Sequence, residues 1–137
     1  MQGDGPSSSR HHEAMSLGDA RIVSFVGVSD LDVAEGFYGG VLGLTLEDAR
    51  PFALVADMGA TQLRITAVGV VHAAPYTVLG WQVDDLEGAI DELVGRGVEL
   101  TRYDGLEQDG RGIWTAPSGA RIAWFHDPDG NTLSLQA

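Results

Sequence analysis

Apolar residues change their spacing along this chain twice, in the same order each time. Ile22 to Val28 and Tyr76 to Val83 are runs rich in β-branched and aromatic residues with a period of two, the pattern of strands. Each run is followed by an acidic residue, Asp30 or Asp85, placed to cap a helix N-terminus. The period then becomes helical. Leu31, Ala34, Phe37, Tyr38, Val41 and Leu42 fall on one face, as do Leu86, Ala89, Ile90, Leu93 and Val94. Gly39-Gly40 and Gly95 with Gly97 mark the expected helix ends. Short strands follow at 44–49, 52–57 and 61–67, and again at 98–103, 112–116, 120–126 and 132–136. The string Asp127-Pro128-Asp129-Gly130 supplies the turn of the last hairpin, with Pro and Gly where their backbone angles suit.

The two halves are copies. Val28-Ser29-Asp30-Leu31 with Ala34 recurs as Val83-Asp84-Asp85-Leu86 with Ala89 at an offset of 55, and Gly43-Leu44-Thr45-Leu46 matches Gly97-Val98-Glu99-Leu100 at an offset of 54. Asp57 and Leu63 match Asp127 and Leu133 at an offset of 70. The difference between 54 and 70 is a 16-residue excess in the second copy, expected between Thr101 and His126. The join falls near Ala73-Ala74-Pro75. The expected architecture is α+β: two tandem βαβββ modules, about 21–72 and 75–137, forming a curved mixed sheet around a cup-shaped cavity.

Alternation then assigns faces. Ser24, Val26 and Val28 in the first module, and Leu79, Trp81 and Val83 in the second, belong under the helices together with Leu63, Ile65, Leu133 and Leu135. The opposite face carries Val23, Phe25, Gln62, Arg64 and Thr66, and in the second copy Val78, Gln82, Thr132, Ser134 and Gln136. This mixed polar and apolar face is where a small molecule would bind, unless it packs on another subunit.

Composition removes much chemistry. The 137 residues contain no Cys and no Lys, so disulfides, thiolate metal sites, Cys nucleophiles and lysine Schiff bases are excluded. A net charge of -12 repels nucleic-acid phosphates and anionic membranes, and neither partner is expected. The first twenty residues, polar and without periodicity, read as a disordered tail in which Met15 is an alternative start. His11, His12 and Glu13 there are adjacent side chains that cannot preorganise a metal site. With no secretory signal and no apolar span, the expected compartment is the cytoplasm.

Three strings carry a resemblance: Asp30-Leu31 with Phe37-Tyr38 and Val41-Leu42-Gly43-Leu44; Val83-Asp84-Asp85-Leu86 with Arg96-Gly97-Val98; and Phe125-His126-Asp127-Pro128-Asp129-Gly130-Asn131. Over residues 21–137 the chain resembles the vicinal oxygen chelate superfamily, which includes glyoxalase I, extradiol dioxygenases, fosfomycin-resistance enzymes and bleomycin-binding proteins. The likeness implies the paired-module fold but no particular reaction. It also implies four metal-ligand places, usually His on the first strand and Glu on the last strand of each module. They fall on Val23, Arg64, Val78 and Ser134. Two valines and an arginine offer no lone pair to a cation, so neither a metal nor another cofactor is expected.

The candidate ligand-binding residues are therefore Val23, Phe25, Arg64, Val78, Gln82, Trp114 and Ser134. Arg64 offers a guanidinium to a carboxylate or phosphate, or pairs with an acidic side chain of the protein such as Asp104, Glu107 or Asp109. Trp114, Trp124, Phe25 and Tyr103 form either an aromatic lining or ordinary core. His126 is the one catalytic candidate, as a general base, or else a side chain capping the hairpin turn. Three classes compete: a binding or drug-resistance protein acting without a metal, a metal-independent enzyme of lyase, dioxygenase or isomerase type, and a metalloenzyme with atypical ligands. A homodimer is expected, since so small a domain gains core by pairing.

Overall fold

The computed structural model describes residues 16–137, so the histidine pair and most of the expected tail lie outside the described residues. Residues 17–19 form an exposed 3₁₀ turn with no buried side chain. Two modules follow. The first comprises β1 (Ile22–Val28), α1 (Leu31–Ala34) continued by a π-helical stretch (Glu35–Val41), β2 (Glu47–Ala49), β3 (Ala53–Asp57) and β4 (Thr61–Ala67). The second comprises β5 (Leu79–Gln82), α2 (Leu86–Gly95), β6 (Trp114–Thr115), β7 (Arg121–His126) and β8 (Thr132–Gln136).

Both modules build the same four-stranded mixed sheet, in the orders β1-β4-β3-β2 and β5-β8-β7-β6. The first strand lies parallel to the last, and the other neighbours are antiparallel. The internal repeat is kept at the level of register. Ser24 faces Leu63 and Leu79 faces Leu133; Phe25 faces Arg64 and Gly80 faces Ser134. The expected pair of βαβββ modules is thus present as two four-stranded sheets, with no ladder between them among the described residues and with side chains joining them.

The helices start as their sequences predict. Asp30 Oδ1 accepts from the amides of Asp32 and Val33, and Asp85 Oδ1 from that of Gly88. The first helix does not stop at Gly39-Gly40. It widens instead, the amide of Leu42 reaching the carbonyl of Phe37, and Gly43, with φ of 79°, ends it. Leu44 then donates to the carbonyl of Tyr38, which leaves only Glu47–Ala49 free to form the second strand.

The expected strand at 98–103 is absent. Only Thr101 bonds to β7, through its amide to the carbonyl of Trp124. The side chain of Gln108 occupies the next backbone groups, accepting from the amide of Tyr103 and donating to the carbonyl of Thr101. A side-chain amide thus stands where a neighbouring strand would be. Most of the excess length of the second module lies in this loop at 101–113, and the remainder in the longer turns after Thr115 and His126.

A single apolar cluster unites both modules, with Val26, Val28, Tyr38, Leu63, Ile65, Leu86, Ile90, Phe125 and Leu133 all nearly inaccessible to water. Polar ties cross the same boundary. Tyr38 donates to Asp127 Oδ2 at 2.7 Å, Asn131 Nδ2 to the carbonyl of Gly27 at 2.8 Å, and the Ser29 amide and hydroxyl to Asp129 at 3.0 and 2.6 Å. Asp127 is buried, yet it also accepts from the amides of Asp129 and Asn131 and from the Asn131 side chain. Four donors offset its desolvation.

Candidate functional site

The faces fall as alternation predicts. Val26, Val28, Leu63 and Ile65 are buried under the first helix, whereas Val23 and Phe25 on the outer face of β1 remain 43% and 64% exposed. Beside Phe25, Arg64 is half-buried between β1 and β3. The arginines Arg21, Arg50, Arg96, Arg111 and Arg121 all lie within 4 Å of a carboxylate. Among the described residues no such partner meets Arg64. In particular, Asp109 is engaged elsewhere, its Oδ1 accepting from the amides of Arg111 and Ile113.

On the second sheet, Val78, Gln82 and Ser134 share one depression of about 450 Å³. Ser134 forms its floor at 4% exposure, pressed against Gly80, where an added Cβ would lie 2.7 Å from the Ser134 hydroxyl. Across β8 from Ser134 stands Trp124, on the outer face of β7. It meets Tyr103 edge-on, with centroids 5.4 Å apart, and Trp114 at 6.2 Å in a tilted arrangement. Three of the four candidate aromatics therefore gather on the second module, while Phe25 stands apart on the first sheet. Trp81 packs against the core.

His126 does not cap the turn; Asp127 does, because its carboxylate lies closer to the turn amides. His126 instead bonds through Nδ1 to Thr101 Oγ1 at 3.0 Å, at the mouth of a separate cavity of about 790 Å³ between the modules. Sequence reasoning missed this cavity because its walls come from the irregular segment at 96–102 and from the widened first helix, neither of which has a readable period.

Two βαβββ modules sharing one register, each with a helix on one face and an open mixed surface on the other, define a paired-module α+β fold. The chain belongs to the Glyoxalase/Bleomycin resistance protein/Dioxygenase superfamily, whose family model matches residues 20–135. A member of that superfamily from Sphaerobacter thermophilus is similar, with 26% identity, a TM-score of 0.68, and 88% of this chain and 98% of that chain covered. A glyoxalase/bleomycin resistance protein from Streptomyces sp. CB03234 has 26% identity and a TM-score of 0.60, covering 86% of this chain and all of its own. The lactoylglutathione lyase of Agrobacterium tumefaciens shares the fold at 18% identity and a TM-score of 0.68, over 88% of this chain and 95% of its own. No curated protein sequence matches the chain.

The strand register bears on the metal that the family implies. Val23 lies on β1 and Val78 just before β5, and Arg64 and Ser134 occupy corresponding places on β4 and β8. Two hydrocarbon side chains, a guanidinium and one hydroxyl do not fit a divalent cation. Among the described residues, no three His, Asp or Glu side chains are grouped to hold a metal elsewhere.

Proposed function

We propose that this protein binds a small organic molecule on the outer faces of its sheets, with Arg64 gripping a carboxylate, phosphate or carbonyl, and that no metal takes part. The observation that carries this reading is the Arg64 guanidinium, half-buried at a family ligand place and without a carboxylate partner among the described residues. A guanidinium in a partly dry site is costly unless something pairs with it, and a ligand anion supplies that pairing through parallel hydrogen bonds. Val23 and Phe25 supply apolar contacts on the first sheet, Val78 and Gln82 supply apolar and amide contacts on the second with Ser134 beneath these two, and the Trp114 cluster is a stacking surface. The function is binding or sequestration, of the kind a drug-resistance protein performs; an acidic surface favours ligands that also carry a positive group. The protein works in the cytoplasm as a homodimer, consistent with the apolar side chains that the outer face of β1 leaves uncovered.

The test is Arg64→Met, measured for both stability and the affinity of two probes, benzoate and phenyl phosphate. The expected result is a loss of about 2 kcal/mol in probe binding with folding stability unchanged or improved. A fall in stability above about 2 kcal/mol with unaltered affinity assigns Arg64 to the fold and overturns the reading.

A further inference from the structure

The cavity between the modules carries a second set of groups that the outer-face reading does not use. Phe37 and Val41 of the first helix form its apolar wall, and Arg102, Thr101 and His126 its polar one. Its volume of about 790 Å³ lies within the range of small-molecule sites.

We propose that this cavity is a distinct binding site for a small monoanionic organic acid, whose carboxylate is held by Arg102 and His126 and whose hydrocarbon part lies on Phe37 and Val41. Arg102 is the first argument. Its guanidinium donates to the carbonyls of Gln108 and Gly110 at 3.4 and 3.0 Å, and no carboxylate lies within 4 Å of it among the described residues. Neutral carbonyls orient a guanidinium without cancelling its charge, so Arg102, although exposed, is an oriented cation that no ion pair neutralises among the described residues. Arg96, on the same wall, is anchored to the Val41 carbonyl and partly neutralised by Glu92 at 3.0 Å.

The second argument is the tautomer of His126. The Thr101 hydroxyl is 3.0 Å from Nδ1, and no other acceptor for it is present among the described residues. When the hydroxyl donates to Nδ1, the neutral ring carries its proton on Nε2, and that tautomer is the one that offers a donor to an anion. Arg102 and Nε2 are both donors, and the complementary ligand is an acceptor with negative charge. The third argument concerns charge number. Glu99 also lines the cavity, whereas the oxygens of Asp127 are occupied by Tyr38, Asp129 and Asn131. With Glu99 as a negative charge on the cavity lining, a phosphate dianion is repelled more strongly than a monoanion.

The experiment follows the backbone amide resonances of Val98, Leu100 and Thr101, which line the cavity and are present in every variant, while the full chain is titrated with sodium hexanoate, and in parallel with inorganic phosphate, at fixed ionic strength. A saturable shift with hexanoate, weakened at least tenfold in Arg102→Gln and in His126→Phe and unchanged in Arg64→Met, is the expected result. His126→Phe is measured beside Arg102→Gln because it removes no contact to the loop carbonyls, and denaturation curves identify any variant that fails to fold. A shift that never saturates, tighter binding of phosphate than of hexanoate, or hexanoate affinity in both cavity variants equal to that of the unsubstituted protein overturns the proposal. Loss of hexanoate binding in Arg64→Met alone transfers the anion to the outer face, which refutes the second site and leaves the proposed function standing.

Discussion

Tyr38 is completely buried, and its hydroxyl is committed to Asp127, so one residue of the first helix completes the polar network of the last turn. Burial and the neighbouring Asp127 push its phenol well above the usual tyrosine range. Replacement by Phe keeps the ring in the core and deletes one of the donors to a buried carboxylate. Urea denaturation of Tyr38→Phe is expected to show a loss of about 1–3 kcal/mol, the cost of an unmade hydrogen bond at a buried acceptor. A change within a few tenths of a kcal/mol would mean that Asp127 is served fully by Asn131 and its own turn. The strings FYGGVLGL and DPDGN were legible as motifs; that they touch was not, because 89 residues separate the partners and no local pattern records such a contact.

At the scale of elements, α2 is tied to the sheet by ions as well as by its apolar face. Glu87 receives two hydrogen bonds from Arg121 of β7, at 2.7 and 3.2 Å, and Asp91 receives two from Arg111 of the long loop. The Arg121 guanidinium holds the Glu87 carboxyl down to about 2, from an ordinary 4.5. A carboxyl depressed in this way stabilises the fold fully above pH 4.5, and its contribution is lost as pH falls toward 2. Glu87→Gln should therefore flatten the acid limb of a stability curve between those values and leave its neutral-pH shape unchanged. Asp91 is exposed and Glu87 half-buried, so salt should weaken the effect.

A second element-scale prediction concerns β5 and β8. Gly80→Ala brings a methyl to 2.7 Å from the Ser134 hydroxyl and is expected to cost about 1–3 kcal/mol, relieved in the double variant Gly80→Ala, Ser134→Ala. Equal stability of the two variants in a thermal melt would show that the strands part easily there. β1, β4 and β8 were readable to the residue, because each alternates or lies fully buried between clear turn signals. The segment at 98–103 was not, since its strand-like composition is satisfied by the Gln108 side chain instead of a partner strand. Arg64 could be placed on its face by parity, yet its lack of a carboxylate neighbour among the described residues is a fact of three dimensions alone.

For the molecule as a whole, the uncovered side chains decide the next measurement. Ile22, Val23 and Phe25 are 64%, 43% and 64% exposed on one strand, and a sheet edge with such residues invites a partner. Sedimentation equilibrium at high concentration is expected to give twice the 14.5 kDa chain mass; a monomer would remove the homodimer from the proposed function.

Three of the ties between the modules, from Tyr38, Gly27 and Ser29, converge on the turn at 127–131, across sequence separations of 89 to 104 residues. During synthesis the first module emerges from the ribosome long before any of these partners exists. It must wait with the core side of its helix, including the Tyr38 ring, uncovered until residue 131 has been translated. Contacts of such long range are made late and slowly, and the waiting intermediate exposes apolar surface. The nascent chain is thus most vulnerable to aggregation in the interval before its final hairpin appears.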